Sequence, residues 1–223
     1  MKNKLKLPLI VFTILFCNAA SYVKAAPVNF IVEGTLDYVD DELSGTFTIG
    51  DLFHLEYTVD STAVDATPDD PNKAFYVNAI TSLSITVGDY YSATSTGQSL
   101  ISVYNDDPYM ADSYRISIPA ESMIGDNVDG CYLSNQGPLL SFGDSGGNAF
   151  SDDSLIPYTL DDSNYYGYMG LTFYDPVMSP YIGYVGISAN ISTFKFYTVP
   201  ISSTILLLSF GLVGLFGIGR IKQ

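Results

Sequence analysis

Short runs of alternating apolar and polar residues dominate the chain and predict β-strands. In the clearest run, Phe53–Val59, every second residue is apolar, while His54, Glu56 and Thr58 take the opposite, solvent-facing side. Turn-forming glycine, aspartate, asparagine and proline separate such runs. The predicted strands are Phe30–Tyr38, Thr46–Ile49, Phe53–Val59, Leu83–Val87, Leu100–Tyr104, Tyr114–Ile118, Leu139–Phe142, Gly170–Tyr174 and Gly183–Tyr197, the last as one strand or two.

This pattern predicts an all-β domain. No long segment before the C-terminal tail has helical periodicity, and many short strands joined by turns are typical of an antiparallel β-sandwich or jelly roll. Residues 26–198 are long enough for one domain with a full hydrophobic core. The acidic residues of this segment are mostly aspartate, which prefers turns to helices and fits a loop-rich β protein.

The N-terminus has the pattern of a secretory signal peptide. Lys2, Lys4 and Lys6 precede a short apolar run, and a small-residue site follows it. We expect cleavage between Ala25 and Ala26 by signal peptidase. The segment 1–25 would then be absent from the mature protein.

The C-terminus combines an apolar run with a basic end. Residues 201–219 are uncharged and about as long as one bilayer crossing, and Arg220 and Lys222 follow at once. The positive-inside rule places these two charges in the cytoplasm and the domain on the far side of the membrane. The sequence therefore predicts a transmembrane helix that anchors the chain.

Residues 199–223 also resemble the PEP-CTERM sorting signal of Gram-negative bacteria. Val199-Pro200 corresponds to its motif, Ile201–Ile218 to its helix, and Arg220 with Lys222 to its basic end. The usual Glu-Pro after Val-Pro is replaced by Ile-Ser, as in a variant of the motif. The stretch VEGTLDYVDDELSGTFTIGDLF is similar to the start of many uncharacterised members of this group, which implies a β fold and no known activity.

The resemblance implies a route and a destination. An exosortase would cleave near Val199-Pro200 after transport across the inner membrane, so that the helix is a transient anchor. The mature protein would reach the cell surface or the exopolysaccharide matrix of a biofilm. An ordinary C-terminal anchor, retained in the membrane, is the alternative.

The charge of the domain limits the kinds of partner that it can bind. Residues 26–198 contain all 24 acidic residues but only three basic ones (Lys73, Arg115 and Lys195), a net of −21. Such a field repels nucleic acid and anionic membrane surfaces, and it attracts cations. We therefore expect no nucleic-acid partner.

The stretch GDSGG, residues 143–147, resembles the nucleophile loop of trypsin-like serine proteases, with Ser145 in the nucleophile position. Such a protease needs a histidine base and an aspartate that orients it. The single histidine, His54, lies in a predicted strand between Phe53 and Leu55, on the solvent side. We interpret GDSGG as a turn and expect no catalytic residue.

Acid-rich loops are candidates for calcium binding. Calcium takes six to eight oxygen ligands, and Asp106, Asp107, Asp126 and Asp129 are the candidates. No run matches an EF-hand loop, and solvated turns are the alternative. A calcium site is therefore a possible addition to the domain, whereas no other cofactor is expected.

Tyrosines cluster late in the chain, and such a cluster suggests carbohydrate binding. Tyrosine can stack on a sugar ring while its hydroxyl makes hydrogen bonds, and core packing is the alternative. The clustered residues are Tyr165, Tyr166, Tyr168, Tyr174, Tyr181 and Tyr184. We expect a structural or adhesive surface protein without catalysis; the alternative is a carbohydrate-binding module with calcium-stabilised loops, whose partner is extracellular polysaccharide.

A single cysteine, Cys131, remains after signal cleavage. It cannot form a disulfide within the domain. A buried small residue is the favoured interpretation, and a reactive or intermolecular thiol is the alternative.

Overall fold

A computed structural model describes residues 26–107, 111–134, 138–144, 150, 153–156, 166–178 and 183–198. This part of the chain is all-β, with two single-turn 3₁₀ helices, Asp41–Leu43 and Ala120–Ser122. Its strands are β1 (Val28–Val39), β2 (Leu52–Val59), β3 (Lys73–Val77), β4 (Ile80–Val87), β5 (Tyr91–Ser95), β6 (Leu100–Tyr104), β7 (Asp112–Ser117), β8 (Met123–Gly125), β9 (Tyr132–Leu133), β10 (Pro138–Asp144), β11 (Tyr166–Tyr174) and β12 (Tyr184–Thr198).

The strands form one antiparallel sheet in the order β3-β6-β7-β10-β11-β12-β1-β2-β4-β5-β8, and β9 pairs with β11. The N-terminal strand β1 lies in the middle, between β2 and the last described strand, β12. Buried apolar residues from nearly every strand belong to a single core cluster. Because a flat sheet cannot bring one face of so many strands together, the sheet curls around this core.

Alternation along the strands decides which residues reach the core. In β2, Phe53, Leu55, Tyr57 and Val59 are buried, while His54 and the other polar residues are not, so the prediction for this strand is confirmed. Aromatic rings fill the interior: Phe30 stacks on Tyr57 with centroids 4.7 Å apart. Aromatic pairs of this kind add to the free energy gained from burial alone.

Most of the predicted strands are confirmed, but Thr46–Ile49 is wrong. The backbone of this segment forms a tight turn, in which the Phe47 N–H donates to the Leu43 carbonyl and the Thr48 N–H donates to the Asp51 carboxylate. Phe47 is nevertheless buried. The buried Phe47 side chain holds this loop against the core. An apolar residue between two polar ones has the same sequence pattern in such a loop as in a short strand.

Strand β12 is one strand and not two. It pairs with β11 over Tyr184–Asn190, and with β1 as far as Thr198. A β-bulge opposite Gly34 shifts its register, so that Phe194 packs beside Phe30 and Phe142 on the core side. Such a bulge lets a long strand follow a strongly curved sheet.

The predicted signal peptide, residues 1–25, and the predicted sorting tail, residues 199–223, lie outside the described residues. They stay predictions, and so does the transmembrane helix within the tail. Within the described ranges, none of the helices has the length and apolar character needed to cross a membrane.

Candidate functional site

The outer face of β11 and β12 has tyrosines at its two ends and smaller residues between them. On β11, and on β12 as far as Asn190, even-numbered residues point away from the core, because Met169, Leu171 and Phe173 on β11 and Val185 and Ile187 on β12 are buried. The register of the pair places Tyr174 opposite Tyr184 and Tyr168 opposite Asn190. Two tyrosine-bearing ends of this face are therefore separated by two rows of smaller residues.

Three tyrosines form a row across one end of this face. Tyr132 on β9 lies opposite Tyr174 on β11, which in turn lies opposite Tyr184 on β12. The Tyr174 and Tyr184 rings meet edge to face, with centroids 5.8 Å apart. Tyr132 and Tyr184 each remain about half exposed. This end presents aromatic surface to solvent.

The other end carries Tyr166 and Tyr168, both exposed. Tyr168 and Tyr174 are six residues apart on one strand, about 20 Å in an extended chain. Gly170, Thr172, Gly186 and Ser188 lie between them on the same side. Because these side chains are small, the tyrosine rings project further from the sheet than the surface between them.

Strand β1 completes the face with polar groups. The Asp37 carboxylate accepts hydrogen bonds from Ser188 Oγ at 2.9 Å and from Asn190 Nδ2 at 2.8 Å. Tyr38, also exposed, lies opposite Ser188 and donates to Asp40. That hydrogen bond raises the pKa of the Tyr38 phenol. We call the set of Tyr38, Tyr132, Tyr166, Tyr168, Tyr174 and Tyr184, with Asp37, Ser188 and Asn190, the tyrosine face.

The tyrosine face includes the Asp37 carboxylate, with Asp40 next to it, and no basic side chain among the described residues. The basic residues of the domain lie elsewhere. Lys73 starts β3 and pairs with Asp70 at 2.9 Å, and Arg115 on β7 lies near the Tyr104 ring. Lys195 is on β12 but opposite Ile31, beyond the bulge. The formal charge of the face is therefore negative.

Sequence reasoning found part of this set. Tyr166, Tyr168, Tyr174 and Tyr184 were candidates for sugar stacking, and the structure brings them to one exposed surface. Tyr165 and Tyr181 lie outside the described residues. Tyr38 and Tyr132 are distant in sequence, and the sheet order that places β1 and β9 beside β12 and β11 was not legible from the chain.

The predicted metal ligands fall in two different connections. Asp106 and Asp107 follow β6, and the Asp106 N–H donates to the buried Asp112 carboxylate. Asp126 and Asp129 lie between β8 and β9, where both are exposed. In the part of the chain that the structure describes, no three His, Cys, Asp or Glu side chains come close enough to hold a metal ion.

The protease-like stretch is described only in part. Gly143 and Asp144 end β10, and residues 145–147, including Ser145, lie outside the described residues. His54 is on the outer side of β2, where its Nδ1 lies 3.3 Å from the Glu33 carboxylate of β1. Three strands lie between β2 and β10 along the sheet.

Cys131 is buried, as the favoured interpretation of this residue requires. It pairs with Val128 through two backbone hydrogen bonds. Burial, and then the nearby carboxylates of Asp175, Asp129 and Glu42, raise the pKa of its thiol. A thiol of this kind is a poor nucleophile at neutral pH.

Comparison of the sequence with protein-family models and with curated proteins, and of the structure with solved structures, finds no match.

Proposed function

We propose that this chain is a secreted, exosortase-sorted protein of the cell surface or exopolysaccharide matrix, with a structural or adhesive and non-catalytic role. The two ends support the route: a signal peptide before Ala26, and a Val199-Pro200 motif followed by an apolar run and a basic end. The partners on this route are signal peptidase, the exosortase and, before processing, the membrane.

The exposure of the tyrosine face is the observation that supports adhesion. Large aromatic side chains are normally buried, and a group of them left on one surface indicates an interaction site. Tyr38, Tyr132, Tyr166, Tyr168 and Tyr184 are each at least 40% exposed. His54 lies on the outer side of β2, away from β10 and the GDSGG stretch, and this position supports the non-catalytic role.

We infer that the curled sheet closes over its core as a single antiparallel β-sandwich of the jelly-roll type. Residues 201–218 form a transmembrane helix until the exosortase removes them. The domain then leaves the membrane and is held by its surface contacts alone.

Retention in the matrix tests the adhesive role. Replacing Tyr168→Ala and Tyr184→Ala together removes exposed rings from both ends of the tyrosine face, and neither ring belongs to the core. We expect the protein to shift from the matrix fraction to the medium by about tenfold, because each lost aromatic contact weakens binding. Quantitative blotting of the two fractions measures this shift.

Tyr197→Ala is the matched control. Tyr197 is similarly exposed on the same strand, but lies beyond the tyrosine face, where its hydroxyl accepts from Asn29. This variant should stay in the matrix. Equal retention of the double variant, with an unchanged circular dichroism spectrum, would rule out adhesion through the tyrosine face.

A carbohydrate-binding module is the second candidate. The arrangement that favours it is the Asp37, Ser188 and Asn190 hydrogen-bond group beside exposed tyrosine rings. Polar groups of fixed orientation next to aromatic faces are what a sugar requires, since each ring has hydroxyl groups and an apolar side. Calcium is left out of this proposal, because the described loops do not assemble a ligand group.

A further inference from the structure

We propose that the tyrosine face takes an extended, uncharged polysaccharide chain that lies along β11 and β12 and stacks sugar rings on its two tyrosine-bearing ends. This inference rests on the proposed adhesive function and names its partner. Three properties of the face support it: its length, its fixed polar groups and its charge.

The spacing of the tyrosines suits a polymer. The Tyr174–Tyr184 pair and Tyr168 are about 20 Å apart along the strands, with small side chains between them. A single sugar can contact only one of the two ends. A chain that spans both ends gains the second contact without a second loss of translational freedom, so binding strengthens with chain length.

The polar groups beside the Tyr168 end of the face are already oriented. Ser188 Oγ and Asn190 Nδ2 each donate to a different oxygen of the Asp37 carboxylate. An ionised carboxylate has about four acceptor sites, and an amide has a second N–H and its own oxygen. Sugar hydroxyl groups can therefore both donate to Asp37 and bond to Asn190 without rearrangement of the face.

The charge of the face selects against anionic polymers. Asp37 lies on it and Asp40 lies next to it, no basic side chain belongs to it among the described residues, and the domain has a net charge of −21 from three basic and 24 acidic residues. A sulfated or carboxylated chain would bring like charges together, which costs free energy and slows association. An uncharged chain makes the same ring contacts without this cost.

Binding to matched polymers tests the inference. The full chain, kept soluble in a mild detergent, is run by affinity electrophoresis through gels that contain dextran or dextran sulfate, and hydroxyethyl cellulose or carboxymethyl cellulose. We expect retardation by at least one uncharged polymer, and binding to its charged derivative that is at least about tenfold weaker. Glucose at the same sugar concentration should not compete.

The tyrosine variants tie the binding to this face. The Tyr168→Ala, Tyr184→Ala double variant should bind the uncharged polymer about tenfold more weakly, and Tyr197→Ala should bind it normally. Equal or tighter binding to the charged derivative would overturn the inference, and so would full competition by glucose or binding to none of the four polymers. The adhesive function is judged separately, by retention in the matrix, and survives each of these results if retention still requires the two tyrosines.

Discussion

At the scale of single residues, Tyr57 and Tyr114 place two ionisable phenols in the core. Tyr57 stacks on Phe30, and Tyr114 stacks on Phe142 with centroids 5.0 Å apart. Both side chains are fully buried and their phenols face each other, yet neither hydroxyl completes a hydrogen bond of good geometry. Burial raises the pKa of both phenols above the usual value of 10.0, because a phenolate has no solvation there.

These raised pKa values predict a loss of stability in alkali. In the unfolded chain Tyr57 and Tyr114 release their protons as the pH rises through about 10, while in the folded chain they keep them. The contribution of these two phenols to the free energy of unfolding should therefore be complete below about pH 10 and be lost as the pH rises above it, towards the folded pKa values. Urea unfolding at pH 8 and about pH 11 measures the change.

A variant separates this effect from general charge repulsion. Tyr57→Phe with Tyr114→Phe keeps the stacked rings and removes both ionisable hydroxyls. Its stability should decline less over the same pH interval than that of the parent. If the parent and the variant decline in parallel, the buried phenols are not the source of the alkali sensitivity.

At the scale of elements, the contact between β1 and β12 sets the geometry of the tyrosine face. Gly34 lies in the middle of β1, between β2 and β12, next to the bulge. A Cβ at this position would overlap the Asn190 carbonyl oxygen and come within 3.0 Å of Met169 Cε. The bare backbone of Gly34 is what allows β12 to approach and to present Asn190 beside Asp37.

Gly34→Ala should therefore destabilise the domain. The added methyl group forces the backbones of β1 and β12 apart, and an overpacked core position of this kind costs about 1 to 3 kcal/mol. Chemical unfolding of the variant measures the cost. Thr35→Ser, at the exposed neighbouring position, is the control and should change the stability by no more than about 0.5 kcal/mol. A Gly34→Ala variant as stable as this control would contradict the close approach.

The sequence predicts strands better than it predicts their neighbours. Alternation identifies β2 and its buried face, since a side chain must point to one side of the sheet or the other. It misses β3, β5, β8 and β9, which are short, and it mistakes the anchored loop at Phe47 for a strand. Strand order depends on long-range pairing, so Tyr38 and Tyr132 could not be assigned to the tyrosine face from sequence alone.

At the scale of the whole molecule, the account joins an acidic β domain to two sorting signals. A large net charge favours solubility, and the curled sheet leaves the tyrosine face exposed. In the proposed function, the signals at the two ends specify delivery, and the tyrosine face provides attachment after delivery. Delivery and attachment can be tested separately, and delivery is the more general point of the two.

Intact mass spectrometry of the protein recovered from the surface and matrix of its host tests that point most directly. The account predicts a chain that begins at Ala26 and has lost everything beyond the Val199-Pro200 region, found outside the membrane fraction. A chain that still ends at Gln223 and remains with the membrane would contradict it, and would leave an acidic β domain on a permanent anchor.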